Sequence, residues 1–516
     1  MNSVEKNLGQ LRDLWMRHTQ NEHIRVMVLR IADNADRMLD AFFALQSESG
    51  EWDTSDLFIR FDQPFDTGFS YSRVLGDALI EQYRQSFDDE DTEGNWPFNR
   101  VARYDSAAGF LLLLGAFARH HREQFRYVAA VLQPHPISAS GAWETWLEAA
   151  LQAPIPESIR LVIVDTQSDR RWQALADRFP DEVQVIEISM DMFDIMRETA
   201  MHAGGAAGSV GAYRQIMADL MVLLTRGSAH EVQERAGKAM QIARREQWLD
   251  QEAVLRLMIA GAQIKDADFD NAVVSYRDAR DWAIRAKEKE LPGAQNLVVQ
   301  TWFGEGGACL AAGKMKDAAR AYRSGAEQAR CVPDPMLVVE GFRMAGFCFA
   351  NARLPDAAKE HYVLAIRESV SIPVAQRAAT TLPIVIQDLL RHYDARRVKE
   401  LEACAGDYET DTAKILDMAD KKALCLGAFP SARQVEAIEV AMDLQLEERY
   451  IACHKKRERL IAGGDERFRE VVGTARELLH PRWNGLPEIR HPLDKTEAEI
   501  ARLLENDDLD QTGAHG

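Results

Sequence analysis

The sequence predicts a mainly α protein: an α-helical solenoid of repeated helix pairs, preceded by a smaller α/β domain. Three observations lead there. In the second half a pattern of small and aromatic residues recurs about forty residues apart. Before it, apolar runs of strand length alternate with helical stretches. The composition, 46% hydrophobic and 28% charged over 516 residues, is that of a folded chain too long for one hydrophobic core.

The balance of 81 acidic against 62 basic side chains leaves a formal charge of -19. A surface of that sign repels phosphate backbones and anionic lipid, so neither nucleic acid nor a membrane is expected as a partner. The chain starts Met1-Asn2-Ser3-Val4-Glu5-Lys6 and continues into an amphipathic pattern rather than the basic and apolar stretch of a signal peptide. A cytoplasmic protein is the expectation. The longest apolar run, Ala107 to Ala118, is far shorter than the ~20 residues a bilayer requires and reads as a buried helix.

Residues 1–200 form the expected α/β domain. Strand-like runs lie at Ile24–Ile31, Leu57–Phe61, Phe125–Leu132, Leu161–Val164 and Val183–Ile188, with helical stretches such as Tyr71–Ser86 and Trp172–Phe179 between them. Strands alternating with helices imply a small, mostly parallel sheet covered by helices. The run Leu161-Val162-Ile163-Val164-Asp165 resembles the acidic-tipped strand of phosphate-loop nucleotide-binding proteins, where the carboxylate helps hold magnesium. A phosphate loop must end in Gly-Lys-Ser or Gly-Lys-Thr, and neither tripeptide occurs. The turn at Ala32–Asp36 has neither glycine nor lysine, and the one at Asp62–Gly68 is acidic. The domain therefore reads as a degenerate nucleotide-binding head or as an unrelated α/β module, with Asp165 as a helix cap or turn residue.

Other catalytic patterns are missing too. His120 and His121 are adjacent on a helix, so the imidazoles are expected to point apart, without the i, i+4 spacing of a zinc pair. No Gly-x-Ser-x-Gly elbow is present. Cys309, Cys331, Cys348, Cys404, Cys425 and Cys453 are too scattered for a metal knuckle or redox pair, and read as free buried thiols in a reducing compartment. The expectation is a non-enzyme with no catalytic residues, no metal and no cofactor.

Residues 201–211 overlap the glycine-rich stretch His202–Arg214, which reads as a linker opening the array, with an anion-binding nest as the alternative. The array itself is placed at 212–406. Trp302 pairs with Phe342, Gly306 with Gly346, Ala318 with Ala358, and Tyr322 with Tyr362, at a common offset of about forty residues. Glycine and alanine let two helices approach closely, and the aromatics fill the space between successive pairs. The same second-helix spacing recurs at Ala272, Tyr276 and Ala279, behind Leu257 and Ala260. It recurs again at Val232, Ala236 and Ala239 behind Gly227, and at Val398 after a helical stretch from Pro373 to His392. About five helix pairs are expected.

At these positions the chain resembles the tetratricopeptide repeat family. Phe342, Ala345, Gly346, Phe349, Ala358, Tyr362 and Ala365 match its pattern, whereas Glu305, Cys309 and Gly325 depart from it. A period above the family's usual ~34 implies longer helices. The resemblance implies a groove lined by the first helix of each pair that receives a peptide or helix of a protein client. Its candidate residues are Phe303, Glu340, Arg343 and Phe347. Phe303 and Gly307, with Arg343 and Phe347, stand where some members carry a carboxylate clamp, so an apolar helix or strand is the expected ligand.

Residues 407–505 are expected to cap the array. Ser431-Ala432-Arg433-Gln434 starts a long helix to about Ile461 that ends at Gly463-Gly464; its basic cluster His454–Arg459 reads as a solvated face, with docking of an acidic partner as the alternative. A helix Glu466–Leu479, the proline-containing stretch HPRWNGLPEIRHPLD and a short helix capped by Asp494 and Glu497 follow. The tail 506–516 reads as disordered. An α/β head before such repeats resembles, in outline, proteins encoded beside bacterial type VI secretion systems. That resemblance implies an adaptor or chaperone whose client is a secretion-system effector; the alternative is a nucleotide-dependent or ligand-sensing regulator.

Overall fold

The computed structural model describes residues 3–46, 53–86, 96–98, 104–138, 140–190 and 208–479, with positions 192, 195 and 198 between the last two stretches. The chain divides into two compact units, Met1–Gly205 with Glu409–Ile451, and Ala206–Tyr408 with Ala452–Gly516.

The first unit runs α1 (Ser3–His18), β1 (Val26–Ile31), α2 (Asp36–Leu45), β2 (Leu57–Phe61), α3 (Gly68–Gln85), α4 (Ala107–His120), β3 (Val128–Leu132), α5 (Ser140–Gln152), β4 (Ile159–Thr166), α6 (Gln173–Arg178) and β5 (Val183–Ile188). The strands form one five-stranded sheet in the order β2-β3-β4-β1-β5, with every neighbouring pair parallel. Strand periodicity sends alternate side chains to opposite faces. Met27, Leu29, Ile31, Val131 and Val162 pack with Leu11, Trp15, Met38 and Phe42 of α1 and α2. Val26, Val28, Phe61, Leu161 and Ile163 pack with Leu75, Phe110, Leu114, Trp143 and Trp146 of α3, α4 and α5. Burial on both faces explains why the central strands β1, β3 and β4 read as continuous apolar runs rather than as alternating ones.

Segments 409–424 and 432–451 are helical and belong to this unit. Phe69 at the start of α3 packs with Ala419, Ala423 and Val435. Arg73 bonds Asp105 at 2.7 Å and Glu439 at 2.9 Å. The expected single cap over 407–505 is therefore divided, because the apolar side of 419–435 finds its partner on α3.

The second unit begins with four helix pairs: α7 (Ser209–Arg226) and α8 (Ala229–Arg245), α9 (Leu249–Lys265) and α10 (Phe269–Glu288), α11 (Ala294–Ala311) and α12 (Met315–Ala329), α13 (Pro335–Asn351) and α14 (Pro355–Glu368). A single-turn α15 (Val374–Arg377) leads to α16 (Leu382–Leu424), then α17 (Ala432–Ala462) and α18 (Glu466–Leu478). A fifth pair lies within α16. Asp394 leaves helical geometry at φ -149° and ψ 80°, and its carboxylate accepts from the Arg397 amide at 2.9 Å, which starts the next helix without an intervening loop.

Close approach at small residues holds the pairs together. A Cβ on Gly306 would fall 2.9 Å from the Tyr322 ring, and one on Gly346 would fall 2.6 Å from the Tyr362 ring. Phe468, Val472 and Ala475 of α18 join the core formed by Phe342, Leu382, Leu390 and Leu401, so α18 covers the end of the array. Residues 201–207 of the expected linker, the stretch HPRWNGLPEIRHPLD, the helix capped by Asp494 and Glu497, and the tail 506–516 lie outside the described residues. The fold is thus a solenoid of tetratricopeptide-like helix pairs together with a smaller α/β domain.

Candidate functional site

On the repeat array, helical geometry places Glu340, Arg343 and Phe347 on one face of α13. Glu340 and Arg343 form two hydrogen bonds, at 2.7 and 2.6 Å, and so neutralise each other within one helix. Phe347 is 38% exposed. Phe303 is only half-buried, but its ring meets Tyr322 edge-on at 5.8 Å and lies where a Cβ on Gly325 would intrude at 2.8 Å. Much of the Phe303 ring is therefore spent on packing α11 against α12.

The small and aromatic positions of successive pairs set a common register. Ala260, Gly306 and Gly346 are equivalent, which makes Leu257, Phe303 and Arg343 one row and Gly261, Gly307 and Phe347 another. Leu257 and Ile264 of α9, Phe303 and Leu310 of α11, and Met344 of α13 are partly buried and pack against a single core cluster. In that register Leu257 with Phe303 and Ile264 with Leu310 form an apolar strip across α9 and α11. On α13 the row of Leu257 and Phe303 holds Arg343, and the exposed Phe347 beside it ends the strip. Leu257, Ile264, Leu310 and Met344 were missed as site residues by the sequence reading. The i, i+7 spacing of Leu257 with Ile264 and of Phe303 with Leu310 was the signal that could have found the first three; Met344 has no such partner.

Gly261 and Gly307 interrupt this strip. A Cβ on Gly261 would meet nothing within 4 Å, and one on Gly307 only the Tyr322 hydroxyl at 3.6 Å. Helix-interior glycine costs roughly 0.5–1 kcal/mol relative to alanine. Packing inside the chain requires neither residue, whereas both leave helix backbone open to a closely approaching segment.

Glu305, where the repeat pattern wants leucine, is a buried acid. It bonds Arg277 at 2.8 Å and Arg280 at 2.6 Å, and the Arg280 guanidinium lies 3.4 Å from the centre of the Trp302 ring. The departure from the pattern is thus an ion cluster joining α10 to α11.

In the first unit, α2 after β1 lies on one face of the sheet, and α6 after β4 lies on the other. β1 and β4 are neighbours, so their C-terminal ends form the crevice where ligands bind in open parallel sheets. Arg30, Asp165 and Glu187 stand directly opposite one another on β1, β4 and β5. The Arg30 guanidinium donates to Asp165 at 3.1 and 2.9 Å, to Gln173 at 3.0 Å and to Glu187 at 2.9 Å. Asp165 also accepts from the Thr166 and Arg171 amides at 3.1 and 3.2 Å, so each oxygen takes two hydrogen bonds. Asp33, in the turn after β1, accepts from Ser168 Oγ and N at 2.7 and 3.3 Å, which holds its carboxyl below the usual value. The acid that resembled a magnesium ligand is therefore a residue of strand β4 paired with arginine, and not the helix cap or turn residue expected. A cavity of about 270 Å³ beside it is lined by Gln133, Trp143, Thr166 and Trp172.

The remaining candidates differ from expectation in detail. The His120 and His121 rings do not point apart: they meet edge-on with centroids 4.7 Å from each other at the end of α4, where His121 packs on Phe117. Among the cysteines, Cys331 and Cys425 are exposed, and Cys404 and Cys453 are brought together with sulfurs 3.5 Å apart. In the basic cluster, Arg457 is buried and Lys456 reaches Asp407 at 3.5 Å, so it is not a uniformly solvated face. Among the described residues, no cluster of three or more His, Cys, Asp or Glu is placed to hold a metal. Nor is any described helix long and apolar enough to cross a membrane.

No protein-family model matches the chain, and no curated protein matches it. Among solved structures, it is similar to BtubC (BKLC) from P. vanneervenii at 16% identity and TM-score 0.28, over 48% of this chain and 91% of that one. A second similar structure is Rap protein complexed with Competence and Sporulation Factor, at 13% identity and TM-score 0.29, over 55% of this chain and 78% of that one. The tetratricopeptide-like description rests on the helix pairs themselves.

Proposed function

We propose that this chain is a non-catalytic, cytoplasmic adaptor or chaperone whose repeat array holds an apolar helix of a client protein. The carrying observation is the apolar strip across α9 and α11, opened at Gly261 and Gly307 and ended on α13 by Phe347. An amphipathic helix places anchors at i, i+3, i+4 and i+7, a spacing suited to a row of half-buried side chains separated by glycines. A secretion-system effector is the client that the sequence resemblance suggests. The alternative, a nucleotide-dependent regulator, is the weaker reading because Arg30 and two amides already occupy both oxygens of Asp165.

A photo-reactive residue in place of Phe347, expressed in the native cell, tests the reading. The control carries the same residue at Val274, which is 62% exposed on the second helix α10. One protein cross-linked from 347 and not from 274, and lost on Gly261→Trp, is the expected result. The same set of proteins from both positions would remove the strip as a binding surface.

A further inference from the structure

We propose that the first unit also binds a small lipophilic amine, with the apolar body in a pocket between α3, α4, α5 and segment 417–428 and the ammonium on Asp420. The pocket encloses about 380 Å³, within the ~300–1,000 Å³ usual for ligand sites. Its walls are mainly Phe69, Ala107, Ala108, Trp146, Ala149 and Leu424. The row of alanines leaves the volume: in neighbouring parts of the same core, phenylalanine, leucine and tryptophan fill the space between helices.

The charges on the wall decide the ligand class. Three acids and one base line the pocket, Asp105, Asp417, Asp420 and Lys421. Asp105 is bonded to Arg73 at 2.7 Å, and Asp417 to Lys421 at 2.7 Å. Asp420 is only 7% exposed, and among the described residues no cation pairs with it. Its Oδ1 accepts from the Gly68 amide at 2.7 Å, at the start of the α3 helix. A buried carboxylate held only by backbone amides, with no counter-charge, is costly, and a ligand ammonium supplies what is lacking. Burial pushes the Asp420 carboxyl up to about 7, with Asp417 adding to the effect and the Gly68 and Phe69 amides opposing it. At pH 8.5 Asp420 is ionised, while an alkylamine, with a pKa near the ~10.4 of lysine, remains protonated.

Three probes of one shape separate the possibilities: 4-phenylbutylamine, 4-phenylbutanol and 4-phenylbutyrate, titrated calorimetrically into the full chain at pH 8.5. The amine is expected to bind about tenfold or more tighter than the alcohol, and the carboxylate weakest. Asp420→Asn keeps an acceptor for Gly68 and is expected to equalise amine and alcohol. Ala149→Trp fills the pocket and is expected to abolish all three. Equal binding of amine and alcohol by the natural chain, tightest binding of the carboxylate, or no binding by any probe would overturn the proposal. A melt of each variant confirms folding. Should Asp420→Asn fail to fold, the order of the three probes on the natural chain, with the Ala149→Trp result, still decides.

Discussion

Arg30 and Asp165 face each other across adjacent parallel strands and form an ion pair at 2.9 Å, both side chains being almost fully buried. The pair closes the strand-end crevice that an open parallel sheet would otherwise offer to a ligand. Removing the carboxylate leaves a buried guanidinium with only Glu187, which is half-exposed, and Gln173. Asp165→Ala is expected to destabilise the first unit by about 3–5 kcal/mol, and the double replacement Arg30→Met with Asp165→Leu to recover most of that loss. Urea unfolding followed by tryptophan fluorescence measures both, since most of the tryptophans in the core lie in this unit.

The array's glycines divide by what surrounds them. Gly346→Ala drives a methyl into Tyr362 and is expected to cost about 1–3 kcal/mol, whereas Gly261→Ala meets open space and is expected to gain about 0.5–1 kcal/mol. Hydrogen exchange of α9 and α13 in the two variants reads these changes locally.

Asp420 sets a pH dependence. Its ordinary carboxyl value is 3.8 in the unfolded chain and about 7 when folded. Between these values the folded chain holds the additional proton, so stability falls as pH rises through this window and levels off above it. Asp420→Asn removes this term. It is expected to raise the melting temperature at pH 8 and to change it little at pH 4, with an effect on the order of a few kcal/mol at the higher pH.

The cysteines separate by access. Burial pushes the Cys348 and Cys453 thiols up to about 11 and raises Cys309 as well, which keeps them protonated. Ellman's reagent is expected to label Cys331 and Cys425 quickly in the folded chain and the other four only after unfolding. Rapid labelling of all six would contradict the packing of α16 against α17 around Cys404 and Cys453.

Much of this fold is legible in the residues. Gly306 and Tyr322, or Gly346 and Tyr362, announce a helix pair because a ring and a missing side chain must meet. The apolar runs of β1 and β3 announce buried strands. Less is legible where partners are distant in sequence. Nothing near Ala419 or Val435 indicates that their partner is Phe69, since an amphipathic face specifies apolar contact and not an address. The pairing of Arg30 with Asp165 depends on strand order and register, which local pattern leaves open. Of the four predicted groove residues, Phe347 is open, Phe303 is engaged with Tyr322, and Glu340 and Arg343 engage each other. Helical spacing located their face, and only the tertiary contacts show which side chains remain available.

Client affinity tests the binding role of the array most directly. The protein cross-linked from position 347 would be purified and titrated against the natural chain and Phe347→Asp, with circular dichroism melts of both. An exposed aromatic anchor in a helix-binding strip is worth about 2 kcal/mol or more, so a roughly 30-fold or greater loss of affinity with an unchanged melt is predicted. Equal affinity in the two chains would place the client elsewhere and contradict the assignment of the strip on α9 and α11 that Phe347 ends.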